Sequence, residues 1–416
     1  MNPIHTETLH SIDAVKRLKG IVKKTPLTYH AALSQKYNCR VYLKREDLQI
    51  TRSYKLRGAY NMISGLSKKQ LEKGIVCASA GNHAQGFAYS CNLLGVKGIV
   101  FMPESTPGQK VNQTKMFGRD QVRIVLKGNT FDDCAAAAKI YAKAHHFIFI
   151  PPFDDLRIIE GQGTVAVELL EQLSAIDFLF VPVGGGGLAA GIGAHFSTES
   201  PHTKIIGAEP EGAPSMKKAL AEGMPVILEH IDGFVDGAAV RRVGDITFPI
   251  CRQVLEDMIT IPEGKICSVI LKLYNEDAIV TEPAGALSVA ALDHYAAAIE
   301  GKTVVCIISG SNNDMERMQE IKERSLLYEG LKHYFLIRFA QKPGALKEFV
   351  NKVLGPEDDI IRFEFMKKNI REFGPALIGI ELKNKNDYDT LLLKMDRFHL
   401  DYTLINQDDA LFGYLV

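Results

Sequence analysis

Phe178-Leu179-Phe180-Val181-Pro182-Val183-Gly184-Gly185-Gly186-Gly187-Leu188-Ala189-Ala190 joins an apolar run, four glycines and an alanine-containing stretch. The apolar run is short and does not alternate, which predicts a strand buried on both faces of a parallel sheet. The residues after the glycines predict a helix. Glycines between the two let successive backbone N–H groups turn toward one point, and a helix N-terminus adds partial positive charge there. The stretch therefore predicts a strand–loop–helix unit with an anion site, most often one for phosphate. No lysine and hydroxyl residue follow as in a Walker loop, and the spacing is not the Gly-x-Gly-x-x-Gly of dinucleotide sites. The competing reading is a flexible turn. Four successive glycines are costly in conformational entropy without a close ligand, which weighs against it.

The same alternation extends outward. Arg40–Lys44, Gly74–Ser79, Gly98–Met102, Gln121–Val125, Phe147–Ile150, Lys204–Ala208 and Val304–Ile308 read as strands. Helical patterns occupy about 8–20, Lys55–Ser64, Asn82 onward, Gln109–Phe117, Phe131–His145 and Gly161–Leu173. Short β-rich runs between longer helical ones predict an α/β fold with two open parallel sheets covered on both faces, and a cleft between them as the site. The pattern changes near residue 330. His333–Ala340 alternates, Ala345–Leu354 is amphipathic, Ile360–Met366 and Pro375–Leu382 are strand-like, Asn386–Phe398 is helical and Tyr402–Ile405 is a last strand. The order βαββαβ predicts a ferredoxin-like module. The expected division is a catalytic part over 1–325, its smaller subdomain roughly 50–160, and a module over 326–416, with Ile321–Gly330 as the join.

Of 416 residues, 46% are apolar and 24% charged, and 49 basic side chains balance 49 acidic ones. That balance argues against a nucleic-acid partner. The seven cysteines, at 39, 77, 91, 134, 251, 267 and 306, are odd in number and form no Cys-x-x-Cys pair. They predict buried thiols in a reducing compartment, with neither a disulfide frame nor a zinc site. Met1-Asn2-Pro3-Ile4-His5-Thr6-Glu7 lacks the basic and apolar regions of a leader, and no apolar run reaches membrane-spanning length. The expectation is a cytoplasmic protein with no membrane partner.

Four further loops carry chemistry. Thr51-Arg52-Ser53-Tyr54-Lys55-Leu56-Arg57-Gly58-Ala59 places Lys55 between an aromatic residue and a glycine. Ser79-Ala80-Gly81-Asn82-His83 turns from strand to helix and offers a hydroxyl, N–H groups and an amide to a carboxylate or a cofactor hydroxyl. Asn82 as a plain helix cap and His83 as a structural histidine are the alternatives. Ser309-Gly310-Ser311-Asn312 ends a strand with no base beside Ser309. That suits a hydrogen bond to a ring nitrogen better than nucleophilic attack, with a simple turn as the alternative. Glu282, in Thr281-Glu282-Pro283-Ala284-Gly285-Ala286, fits either a cleft position or a solvated helix start.

Taken together, these ordered motifs resemble the fold type II (β-family) pyridoxal-phosphate enzymes, the tryptophan synthase β-like architecture, over about residues 10–320. The likeness is strongest to the threonine dehydratases (threonine ammonia-lyases). The last segment resembles the ACT-like regulatory domain of the biosynthetic members, of which this chain has room for one copy. The resemblance implies pyridoxal 5'-phosphate held by Lys55 as a Schiff base, with Lys55 also the α-proton base. It implies Gly184, Gly185, Gly186, Gly187 and Leu188 at the phosphate, Asn82 at the ring hydroxyl, Ser309 at the pyridine nitrogen and Tyr54 beside the ring. Ser79, Asn82 and His83 fall where the family holds the substrate carboxylate. Substrates would be L-threonine and, more weakly, L-serine. Isoleucine would inhibit and valine oppose it at the C-terminal module, in a homo-oligomer, a tetramer.

Two departures from the related serine racemases narrow the expectation. Ala80 stands where they carry a second acid–base serine, which disfavours racemisation. Their divalent-metal site maps near Glu209, Ala213 and Ser215, where Ser215 replaces an acidic ligand, so no metal is expected. The alternatives are serine racemase/dehydratase or threonine synthase activity on the same scaffold, or a catalytically silent amino-acid sensor.

Overall fold

A computed structural model describes residues 9–365 and 372–406. The leader reading of Met1–Glu7, and Met366 at the end of an expected strand, lie outside the described residues. The chain divides into two compact units, Met1–Asp314 and Met315–Val416.

Among the described residues, the first unit contains ten strands: β1 Leu27–Tyr29, β2 Arg40–Arg45, β3 Ile75–Ala78, β4 Gly98–Met102, β5 Val122–Leu126, β6 Ile148–Phe149, β7 Phe178–Pro182, β8 Lys204–Pro210, β9 Asp257–Ile261 and β10 Thr303–Ile308. They form two sheets. The smaller, β5-β4-β3-β6, is wholly parallel. The larger runs β1-β2-β10-β7-β8-β9, parallel except for the edge pair β1/β2. The runs β3, β4, β7 and β10 are buried along their whole length, because helices cover both faces.

Around β7, Leu179 and Val181 pack with Leu188, Ala189 and Ile192 of the helix Gly187–Glu199 and with Ile159, Val165 and Leu169 of the helix Leu156–Gln172. Fully burying a leucine- or valine-sized side chain is worth about 1.5–3 kcal/mol. The smaller sheet has one cluster around Phe87, Val100 and Ile158 and another around Phe101, Cys134 and Ala138. All seven cysteines are buried and none is in a disulfide.

Three details depart from the sequence pattern. β1 is a three-residue edge strand, too short to show a period, and β9 mixes buried and exposed positions. The helix expected from Gly161 begins at Leu156, where Asp155 accepts the Arg157 N–H as its cap (2.9 Å). Gly161 is interior to it because this helix crosses the helix Lys55–Ser64 closely. A Cβ at Gly161 would lie 2.6 Å from the Arg57 carbonyl oxygen.

The second unit contains β11 Lys332–Ala340, β12 Asp359–Phe365, β13 Phe373–Glu381 and β14 Asp401–Leu404, with helices Ala345–Lys352 and Asp387–Arg397 in the βαββαβ order. Its antiparallel sheet runs β12-β13-β11-β14. Alternation along β11 sends Phe335, Ile337 and Phe339 inward against Phe349, Ile378, Leu391 and Met395. Of the segment read as the join, residues 321–328 lie in the helix Met318–Tyr328, and Glu329 and Gly330 turn out of it.

Candidate active site

Lys55 opens the helix Lys55–Ser64, which places its side chain at the end of a loop and not on a solvated helix face. Its Nζ donates to the Pro152 carbonyl (2.8 Å) and stands 5.5 Å from the centre of the Tyr54 ring. Burial pulls its amine down to about 8, against the opposing pull of Glu282. The Tyr54 N–H donates to the Ser309 carbonyl (3.2 Å), so the end of β10 fixes the approach to Lys55.

A cavity of about 360 Å³ lies at this point, between the carboxyl ends of the two sheets. Its walls include Tyr54, Lys55, Ser79, Ala80, Asn82 and His83, and on the other side Gly184, Gly185, Gly186, Gly187 and Leu188. Ser309 is buried and is not among the lining residues.

The glycine loop is shaped for close approach. Gly186 has φ +92° and caps the helix that starts at Gly187. A Cβ at Gly185 would sit 2.4 Å from the Phe153 ring, one at Gly187 2.9 Å from Phe153 Cβ, and one at Gly184 2.9 Å from the Ala238 carbonyl. Thr247 Oγ1 donates to the Gly185 carbonyl (2.6 Å), holding the loop from outside. The first N–H groups of the helix have no partner within it. A cradle that only glycine can line, at a helix N-terminus, sharing a cavity with a half-buried amine, fits a phosphate-bearing aldehyde such as pyridoxal 5'-phosphate.

Asn82 is not the helix cap; Gly81 occupies that position. The Asn82 amide donates to Glu282 Oε1 (2.6 Å) and its oxygen accepts from Asn312 Nδ2 (2.5 Å). Glu282 also accepts the Asn312 N–H (3.2 Å) and is buried in the cleft, where desolvation raises its carboxyl to about 7. Ser79 Oγ accepts the Gly81 N–H (3.2 Å). His83 Nε2 is bonded to the Ile150 carbonyl (3.0 Å), and burial, with Lys55 nearby, drives its imidazole down to about 3, so the ring is neutral.

The sequence reading did not single out the loop Pro151–Asp155. Pro152 holds the lysine amine, Phe153 packs on the glycines, and Asp154 accepts the N–H groups of Ile246 (2.8 Å) and Thr247 (3.2 Å). Its position after β6, at the carboxyl end of a parallel sheet, is the feature that could have revealed it. Lys110 and Asp236, which pair at 2.5 Å on the cavity wall, were also not singled out. Both Glu209 oxygens accept helix N–H groups, from Lys217 (2.8 Å) and Met216 (2.9 Å). No cluster of three metal-ligating side chains occurs among the described residues.

Comparison with known proteins agrees with this geometry. Residues 18–310 match the family model described as pyridoxal-phosphate dependent enzyme, and 323–415 that described as the C-terminal regulatory domain of threonine dehydratase. The chain is 54% identical over 406 residues to the biosynthetic L-threonine dehydratase IlvA of Halalkalibacterium halodurans, covering 97% of this chain and 98% of that one. It is 52% identical to the Bacillus subtilis protein of the same name, covering 98% and 97%. Among solved structures, the processed form of threonine deaminase isoform 2 from Solanum lycopersicum matches with a TM-score of 0.73 at 39% identity, over 76% of this chain and 86% of that one. The chain belongs to the pyridoxal-phosphate-dependent enzyme family and carries the C-terminal regulatory domain of threonine dehydratase.

Proposed function

We propose that the chain is an L-threonine ammonia-lyase, acting more weakly on L-serine. Loss of the β-hydroxyl and the α-proton, followed by hydrolysis, gives 2-oxobutanoate and ammonia, the first step toward isoleucine. The observation that carries this reading is the shared cavity of the Lys55 amine and the glycine cradle. Its near-full-length likeness to proteins named biosynthetic L-threonine dehydratase supports the substrate.

Bound pyridoxal phosphate supplies an electron sink for the charge left on the substrate α-carbon. Gly184–Gly187 and Leu188 would hold the phosphate, with Tyr54 beside the ring, Asn82 for the ring hydroxyl and Ser309 for the ring nitrogen. Lys55 would carry the cofactor, and its Nζ would take the α-proton as the base of the reaction. Its lowered basicity leaves a usable fraction neutral near physiological pH, as a base requires. Ser79, Asn82 and His83 receive the substrate carboxylate. Because the His83 ring is committed to Ile150, its contribution falls to its backbone N–H. Ala80 presents a methyl group to the cavity, which leaves no hydroxyl at that point for racemisation.

The C-terminal unit senses isoleucine, with valine opposing, in a cytoplasmic homotetramer. A cavity of about 270 Å³ in this unit supports the reading. Phe349, Val353 and Leu400 suit an aliphatic side chain, Lys342 and Arg338 a carboxylate, and Glu348 an ammonium. A threonine deamination assay with an isoleucine titration tests both halves. The expected result is turnover that falls as isoleucine rises. Serine racemisation without threonine turnover would replace this reading.

A further inference from the structure

The motif around Lys55 contains an arginine that the chemistry above does not use. Arg57 is 0% exposed, and every N–H of its guanidinium has an acceptor. Nε donates to Glu46 Oε2 (2.9 Å) and Nη2 to Glu46 Oε1 (2.7 Å) and the Lys23 carbonyl (3.4 Å). Nη1 donates to Glu168 Oε1 (2.7 Å) and Thr164 Oγ1 (3.1 Å). Lys44, also 0% exposed, spends its three donors on Glu168 Oε2 (2.6 Å), the Thr25 carbonyl (2.8 Å) and Gln172 Oε1 (3.0 Å). Two cations and two carboxylates are thus buried in one saturated network.

Such a network is a poor way to gain stability, because desolvating the charges offsets their attraction. What it supplies is geometry: a fully satisfied buried network allows one arrangement. Its side-chain acceptors lie on elements that lead into or lie beside the segments walling the cavity. Glu46 follows β2, which pairs with β10 and so with the turn at Ser309–Asn312. Thr164 and Glu168 lie on the helix Leu156–Gln172, which the Pro152 loop precedes. Arg57 itself is two residues past Lys55 on one helix, about 200° around its axis. One side of that first turn faces the cavity and the other is held by the network. Gly58 lets the helices close on this point, since a Cβ there would lie 2.8 Å from the Ile158 carbonyl.

We propose that Arg57 is a positioning residue for the reaction, fixing Lys55 Nζ against the Pro152 carbonyl and the glycine cradle through its fork to Glu46 and its bonds to Glu168 and Thr164. The inference rests on the role given to Lys55 above. Lysine at 57 keeps the charge but has three donors and no planar fork. Full-length Arg57→Lys and Thr164→Val are compared with the parent for thermal unfolding, pyridoxal-phosphate uptake, the pH midpoint of the bound cofactor's absorbance change, and kcat and KM for threonine. Arg57→Lys is expected to fold and take up cofactor, with KM nearly unchanged, a displaced midpoint and kcat lower by about 10–100-fold, the scale of a small misplacement. Thr164→Val, which removes one acceptor of Arg57 together with the Thr164 Oγ1 bond to the Gly161 carbonyl (2.7 Å) but leaves both carboxylate bonds, is expected to lower kcat less, again without raising KM. If Arg57→Lys fails to fold, Thr164→Val decides by the same criteria. Folded variants with parental kcat and midpoint overturn the proposal. A parent that neither takes up cofactor nor deaminates threonine defeats the functional reading instead.

Discussion

At Lys55, burial that suits catalysis works against the fold. An ordinary lysine is protonated up to about pH 10.4, whereas this one loses its proton near 8. Between those values the unfolded chain binds a proton that the folded one does not, so stability of the cofactor-free protein rises with pH across that window. Lys55→Met is expected to lack this rise and to be more stable than the parent at neutral pH, as thermal unfolding at pH 7 and 9.5 will measure. The same shift sets cofactor capture, since only a neutral amine attacks an aldehyde. Uptake by cofactor-free protein is expected to quicken with pH and level off above about 8. A rate still climbing steeply through pH 9.5 would mean an unshifted lysine.

How far single residues could be read depended on whether chemistry or packing decides their place. Lys55, Asn82 and the glycines stand in short motifs whose residue types are hard to explain otherwise. Glu282 stayed ambiguous because acids favour helix starts as well as clefts. Only the bonds from Asn82 and Asn312 separate the two cases. Pro152 contributes a carbonyl, which any residue has, so its side chain gave no sign of it.

At the scale of elements, the strand–glycine–helix unit carries the site. Gly186, with φ +92°, is expected to resist alanine by about 1–2 kcal/mol, the cost of a left-handed backbone for a residue with a Cβ. Gly185→Ala pushes instead on the Phe153 ring, 2.4 Å from the new Cβ. It should weaken cofactor binding about tenfold or more, one such factor being about 1.4 kcal/mol. Cofactor titration and thermal unfolding separate the two effects. The parallel strands were legible because burial on both faces leaves unbroken apolar runs. β1 and β9 were not, since edge strands face two environments. The start of the helix at Leu156 was missed because the helix was read as beginning at Gly161, a glycine that lies inside it where the helices cross.

For the whole molecule, the two compact units each have their own core, which explains why a change of periodicity near residue 330 was visible at all. Removing 315–416 is expected to leave threonine turnover but abolish its response to isoleucine. Unchanged inhibition of the truncated protein would place the sensor elsewhere. The central claim is that this chain deaminates threonine through a cofactor carried on Lys55. The direct measurement compares parent and Lys55→Ala for violet absorbance after incubation with pyridoxal phosphate and for 2-oxobutanoate release from L-threonine. The parent is expected to be yellow and active, and Lys55→Ala colourless and inactive. A Lys55→Ala protein that releases 2-oxobutanoate at the parental rate would contradict the account.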